Sequence, residues 1–176
     1  MPPAHVKVAV KISAAQFSKS NLFDAIFCTL VESGLAPERL ELEITEASLL
    51  ENREAHLTAM RQIKNLGVAI ALDDFGTGFS SINYPTIFPF DKIKIENSFT
   101  EGALNRGESR AVVASTLALA RGFGIVTTAE GIETEEQFEY MQAAGVDLAQ
   151  GYLFGRPVPI SEFGRQTATV LAELVA

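Results

Sequence analysis

A single cysteine, Cys28, stands in a chain of 176 residues, so no internal disulfide can form and a reducing, cytoplasmic setting suits it. Cys28 falls in a helical pattern and is expected to be buried as a small hydrophobe. No apolar run approaches the ~18–20 residues that cross a bilayer, which argues against membrane insertion. The start, Met1-Pro-Pro-Ala-His5, lacks the basic and apolar regions of a signal peptide. The two histidines, His5 and His56, offer no zinc spacing; one precedes a strand, the other lies on a polar helix face, and both are expected at the surface. A Gly-x-Ser-x-Gly elbow is absent, which removes support for serine hydrolysis. Gly76-x-Gly78 falls short of a dinucleotide fingerprint. Positive charge is scarce as well: 14 Lys and Arg against 22 Asp and Glu give a net charge of −8. That balance argues against DNA or RNA polymers as partners, and an anionic ligand would need local cations or metal ions.

What is abundant is apolar surface, 47% of a chain the size of one domain. The central stretch runs Val68-Ala-Ile-Ala-Leu-Asp-Asp-Phe-Gly-Thr-Gly-Phe-Ser-Ser81. Its apolar run reads as a strand buried on both faces. It ends in Asp73 and Asp74, which repel each other unless a cation sits between them. Around it, strands are expected at 6–12, 40–45, 68–73, 91–96, 125–130 and 148–154. Helices are expected at 21–33, 51–65, 80–88, 108–121, 134–145 and 161–175, the fifth opened by the capping box Thr134-Glu-Glu-Gln137.

This alternation means an α/β fold with an all-parallel sheet, either a barrel of (β/α)8 type or an open doubly wound sheet. Polar residues favour the barrel. Lys11, Glu43, Asp73, Asp74, Lys94, Glu130 and Gln150 gather at strand C-termini, which converge on one mouth only in a barrel. Strand parity puts Lys7, Ala9 and Lys11 on one face, and likewise Glu41 with Glu43 and Lys92 with Lys94.

Glu43, Asp73, Asp74 and Glu130 are oxygen ligands of the kind that hold Mg²⁺ or Mn²⁺. A shared Asp73 would bridge two ions for in-line attack on a phosphate ester. Lys94 would steady a water or phosphate oxygen, and Gln150 would orient either. The plain alternative is a set of strand-end charges paired with Lys11, Lys92 and Lys94.

Five ordered segments carry a resemblance: Glu43-Ile-Thr-Glu46, Asp73-Asp-Phe-Gly-Thr-Gly78, Lys92-Ile-Lys-Ile95, Ala129-Glu-Gly-Ile-Glu133 and Gln150-Gly-Tyr-Leu-Phe-Gly155. Together they resemble the EAL domain family, which contains cyclic di-GMP phosphodiesterases. The resemblance implies a modified TIM barrel that cuts cyclic di-GMP to linear pGpG. By the same resemblance, Glu43 and Asp73 hold one metal, and Asp73, Asp74 and Glu130 the second. It makes Lys94 the lysine that contacts the catalytic water and puts Gln150 at the metal–water site. Glu46 braces the Asp-Asp-Phe-Gly-Thr-Gly loop, Glu133 is an acid beside Glu130, and residues 75–81 link the metal site to dimerisation.

Two departures stand against these matches. The Glu-Ala-Leu motif is absent, so 1–176 is expected to be one EAL-like domain without the N-terminal portion that carries it, about six β/α units of an incomplete barrel. Where the family has Val-Asn-hydrophobic-Ser, this chain has Val10-Lys-Ile-Ser13, so Lys11 stands at a metal-ligand position. Its ammonium is expected to take the first metal's place and neutralise Glu43 and Asp73. These departures imply weak or absent hydrolysis, or alternatively a non-catalytic module that binds cyclic di-GMP or a protein. Unpaired sheet edges imply a homodimer or association with a chain that supplies the missing strands.

Overall fold

In a computed structural model of the chain, residues 6–17, 21–49, 53–76, 84–159 and 162–163 are described. The elements run β1 (Val8–Ile12), α1 (Ala14–Phe17), α2 (Leu22–Ser33), β2 (Leu40–Thr45), α3 (Arg53–Asn65), β3 (Ala69–Phe75) and α4 (Tyr84–Ile87). They continue β4 (Lys92–Ile95), α5 (Asn97–Gly102), α6 (Gly107–Phe123), β5 (Val126–Ala129), α7 (Glu135–Ala144) and β6 (Leu148–Ala149). His5, most of segment 75–81 and most of the expected helix at 161–175 lie outside the described residues.

All six strands are parallel and follow one another in the order β1-β2-β3-β4-β5-β6. A doubly wound sheet reverses its strand order at a switch point; this one never does, which is the winding of a barrel. Among the described residues β1 and β6 each have a single neighbour, so the sheet is an incomplete barrel with two edges. No helix among them is long and apolar enough to cross a membrane.

The core lies between the sheet and its helices. Leu42, Ile44, Ile70, Leu72 and Ile93 pack against Ile26 and Leu30 of α2, Met60 and Ile63 of α3, and Phe88. A second cluster joins Ile95 and Ala129 to Val113 and Leu117 of α6 and Met141 of α7. Helix ends follow their local chemistry. Gly34, Gly124 and Gly145 close α2, α6 and α7 in the left-handed conformation, and the expected capping box at Thr134 and Gln137 opens α7.

Three expectations are corrected. Cys28 is exposed, because the inward stripe of α2 is Leu22, Ile26 and Leu30. His56 is buried, with its ring 4.3 Å from that of Phe17, so the polar face of α3 is narrower than the sequence suggests. The sixth strand, expected over 148–154, is only Leu148–Ala149, followed by a turn.

The opposite sheet face is charged. Lys92 Nζ lies 2.7 Å from both carboxylate oxygens of Glu41. The pair spans β3, where Ala69 pairs with Glu41 and Ala71 with Lys92, and two methyl groups leave room for the crossing. Breaking a buried ion pair strands a charge, whereas replacing both partners does not. Lys92→Met is expected to lower unfolding free energy by about 2–3 kcal/mol, discounted because Lys92 retains some exposure. The double variant Glu41→Leu/Lys92→Met should recover most of that loss, as read from urea midpoints.

At the N-terminal rim two carboxylates tie neighbouring strands. Asp91 accepts a hydrogen bond from the Ile70 amide at 2.8 Å and pairs with Lys64. Asp147 accepts from the Thr127 amide at 2.8 Å and hydroxyl at 2.7 Å, which holds its carboxyl below the usual range. This rim is structural, which leaves the C-terminal rim for chemistry.

Candidate functional site

The ends of five strands deliver charged side chains to that C-terminal rim: Lys11, Glu43, Asp73 with Asp74, Lys94, and Glu130 just after β5. Register aligns Lys11 with Glu43 and Thr45 with Asp73. Adjacent strand residues ordinarily point to opposite faces, so Asp74 should face away from Asp73. The β3–β4 register shifts between Leu72 and Phe75, and Asp74 has φ +56°, the one non-glycine residue in that region among those described. Such a bulge re-aims a side chain. Asp73 Oδ1 accepts from the Asp74 amide at 3.0 Å, and the two carboxylates reach the same side. Backbone held in the left-handed region by a non-glycine residue costs on the order of 1–3 kcal/mol and clusters at functional sites.

Lys94, almost wholly buried, stands at the centre. Its ammonium lies 2.5 Å from Glu130, 2.7 Å from Glu43 and 3.5 Å from Asp73. Burial alone would lower its pKa, but the hydrogen bonds to Glu130 and Glu43 outweigh that and hold it well above the ordinary lysine value. Burial raises the Glu130 carboxyl pKa, against the opposing pull of Lys94. Lys11 Nζ lies 2.8 Å from Asp73 Oδ2 and 3.2 Å from Asp74 Oδ2, and the Asp73 hydrogen bond raises its pKa.

Lys11 therefore does bind Asp73, but its second partner is Asp74 and not the expected Glu43. Lys94, from the far side of β3, already holds Glu43.

One oxygen from each of Asp73, Asp74 and Glu130 lies within 4.8 Å of the others. That set fits one hard divalent ion. The residues expected for a further ion fit poorly: Asp73 is already in that set, Glu43 lies outside it and is engaged by Lys94, and Lys11, at the expected ligand position, has no lone pair to donate.

The remaining residues sit at the margin. Glu46 is buried in a 3-10 turn that follows β2 and packs on β3. Gln150 follows β6 at the same rim; its backbone pairs with Ala129 and Ile132, and its side chain is exposed. Glu133 is exposed, with its amide donating to Gln137. Neither belongs to the carboxylate cluster. Sequence reasoning assigned no chemistry to Glu96, whose side chain caps α5 by accepting from the Ser98 amide at 2.9 Å. Its place just before a short polar helix was the available signal.

Comparisons with known proteins agree with this geometry. The family model described as "EAL domain" matches residues 1–157. The bifunctional diguanylate cyclase/cyclic di-GMP phosphodiesterase MucR of Pseudomonas aeruginosa is 36% identical over 155 residues, 88% of this chain and 23% of that protein. A solved structure of the PaMucR phosphodiesterase in complex with c-di-GMP superposes with a TM-score of 0.87 at 35% identity, over 92% of this chain and 66% of that one. Klebsiella pneumoniae BlrP1, solved as a manganese/c-di-GMP complex, gives 0.79 at 29% identity over 86% of this chain and 39% of that one. The chain spans about a fifth of the length of the first curated relatives it matches. With five motifs in order, a parallel singly wound sheet and carboxylates gathered at its C-terminal rim, the chain belongs to the EAL domain family.

Proposed function

We propose that this rim binds cyclic di-GMP and hydrolyses one of its phosphodiesters slowly, with one Mg²⁺ or Mn²⁺ held by Asp73, Asp74 and Glu130. The observation that carries this reading is Lys94 reaching Glu43, Asp73 and Glu130 from three different strands at one point. A bound ion supplies Lewis-acid polarisation of a phosphoryl oxygen. Lys94 stays protonated through the neutral range and steadies the attacking water or the developing phosphoryl charge. Glu130, whose carboxyl pKa is raised by burial, accepts the proton that the attacking water gives up. Water oxygen bonds to phosphorus as its proton passes to Glu130, the ester P–O bond breaks, the departing sugar oxygen takes up a proton from solvent, and the product is linear pGpG. Gln150, exposed at the rim, orients the nucleotide, and Glu133 lies in the loop that follows Glu130. Glu46, buried in the 3-10 turn that packs on β3, braces that strand.

The second reading, a module that binds the dinucleotide without cutting it, is favoured by one feature. The ammonium of Lys11 already neutralises Asp73 and Asp74. Product chromatography with cyclic di-GMP and Mn²⁺ separates the two. Slow pGpG formation that Lys94→Met abolishes supports the first, and calorimetric binding without product supports the second. Neither binding nor product removes both.

Association belongs to the same reading. Val8 and Val10 are about 40% exposed on β1, whose outer edge has no strand beside it among the described residues, a surface that favours pairing with a second chain. The exposed thiol of Cys28 suits a reducing cytoplasm. A sedimenting monomer of 19.0 kDa would count against the association.

A further inference from the structure

We propose that Lys11 is the resident cation of this site. Its ammonium, tethered to β1, holds Asp73 and Asp74 together when no ion is bound, and a divalent ion must displace it. This rests on the reading of the carboxylates as ion ligands and goes further, because it makes one of the chain's own side chains the ion's competitor.

Charge sets the frame. Glu43, Asp73, Asp74 and Glu130 meet Lys11 and Lys94, so four negative charges face two positive ones. A divalent ion that displaces Lys11 brings two positive charges where the ammonium brought one and, with Lys94 in place, leaves a single negative charge. A second ion would turn that into a positive excess in a partly buried pocket, which is costly.

The two lysines are not equivalent. Lys94 is 5% exposed and is held by carboxylates at the ends of three strands. Lys11 has a side chain 54% exposed on an edge strand, so its four-carbon stem can swing into solvent. Both of its contacts are with residues of the Asp73, Asp74 and Glu130 set. Ammonium and metal ion thus seek the same carboxylates.

Competition of this kind separates two quantities that a purely structural residue would move together. Losing Lys11 should weaken the metal-free fold, because Asp73 and Asp74 then repel each other unscreened. The same loss should tighten metal binding, because nothing has to be displaced.

The test is Mn²⁺ titration calorimetry with thermal unfolding of chelator-treated protein, all without nucleotide. Wild type should bind one ion. Lys11→Met should bind Mn²⁺ about tenfold more tightly or better, yet melt at a lower temperature without metal. Lys11→Arg keeps the charge and should behave as wild type. Lys7→Met, removing an exposed charge just before β1, should change affinity by no more than about twofold. Should Lys11→Met fail to fold, Lys11→Gln carries the same expectation. Unchanged or weaker affinity in the neutral variant overturns the proposal. So does an unchanged or higher metal-free melting temperature, two comparable ions in wild type, or no uptake by any of the proteins. Since cyclic di-GMP is absent throughout, these outcomes are independent of whether the dinucleotide is bound or cut.

Discussion

Lys94→Met is expected to lower the free energy of unfolding by about 4 kcal/mol, seen as a fall in urea midpoint at unchanged m-value. Methionine matches the length of the lysine stem, so packing is nearly preserved and the loss is electrostatic. Glu43, Asp73 and Glu130 would then face one another around a buried centre, with Lys11 on Asp73 left as counter-charge and nothing in place of Lys94 on Glu43 and Glu130. Because Asp73, Asp74 and Glu130 remain, the variant should be rescued by metal. Mn²⁺ at a hundred times its dissociation constant should return about 2.7 kcal/mol by linkage, more than half of the loss. Excess chelator should abolish that rescue. A loss under about 1 kcal/mol would mean that the carboxylates do not share one point. The same substitution should also stop pGpG formation, but stability is the sharper readout because it does not depend on turnover.

How much of this was legible in the sequence depends on which physical signal was in play. Period-two alternation placed Glu41 with Glu43 and Lys92 with Lys94, and both ion pairs across β3 follow from it. Strand-end polarity located the rim. The approach of Asp74 to Asp73 was visible only as chemistry, two like charges side by side. The bulge and the positive φ that bring both to one side leave no mark in a simple alternation count. The partners of Lys11 were half right because reach across three strands depends on which lysine claims Glu43 first, and that is a matter of geometry. Short polar elements such as α5 carry too little periodicity to be read, although Glu96 marks its start. His56 went astray because polar neighbours on α3 outvoted one aromatic contact from α1. The short sixth strand was overextended because its apolar run continues through Tyr152, Leu153 and Phe154, while backbone contact ends the pairing earlier.

That contact is made at Gly151, and Gly151→Ala is expected to lower stability by about 4 kcal/mol, combining overpacking with the loss of adjoining hydrogen bonds. A Cβ there would lie 2.0 Å from the Ile132 carbonyl oxygen and 2.3 Å from its amide nitrogen. These are main-chain atoms and cannot rotate aside. On either side, the Ile132 amide donates to the Gln150 carbonyl at 3.0 Å and the Leu153 amide to the Ile132 carbonyl at 3.0 Å. A methyl group would push 150–153 off the segment that follows Glu130. Glu130 is itself tied to β4 through its amide and the Ile95 carbonyl at 3.1 Å, so the strain falls on the site's own carboxylate. Mn²⁺ affinity should therefore fall by about tenfold or more, alongside the stability. Gly122→Ala is the control. It lies within α6 with no atom within 4 Å of the added carbon, and alanine there should stabilise by about 0.5 kcal/mol without touching metal affinity. If the two alanines behave alike, the close approach at Gly151 is not what fixes Glu130 in place.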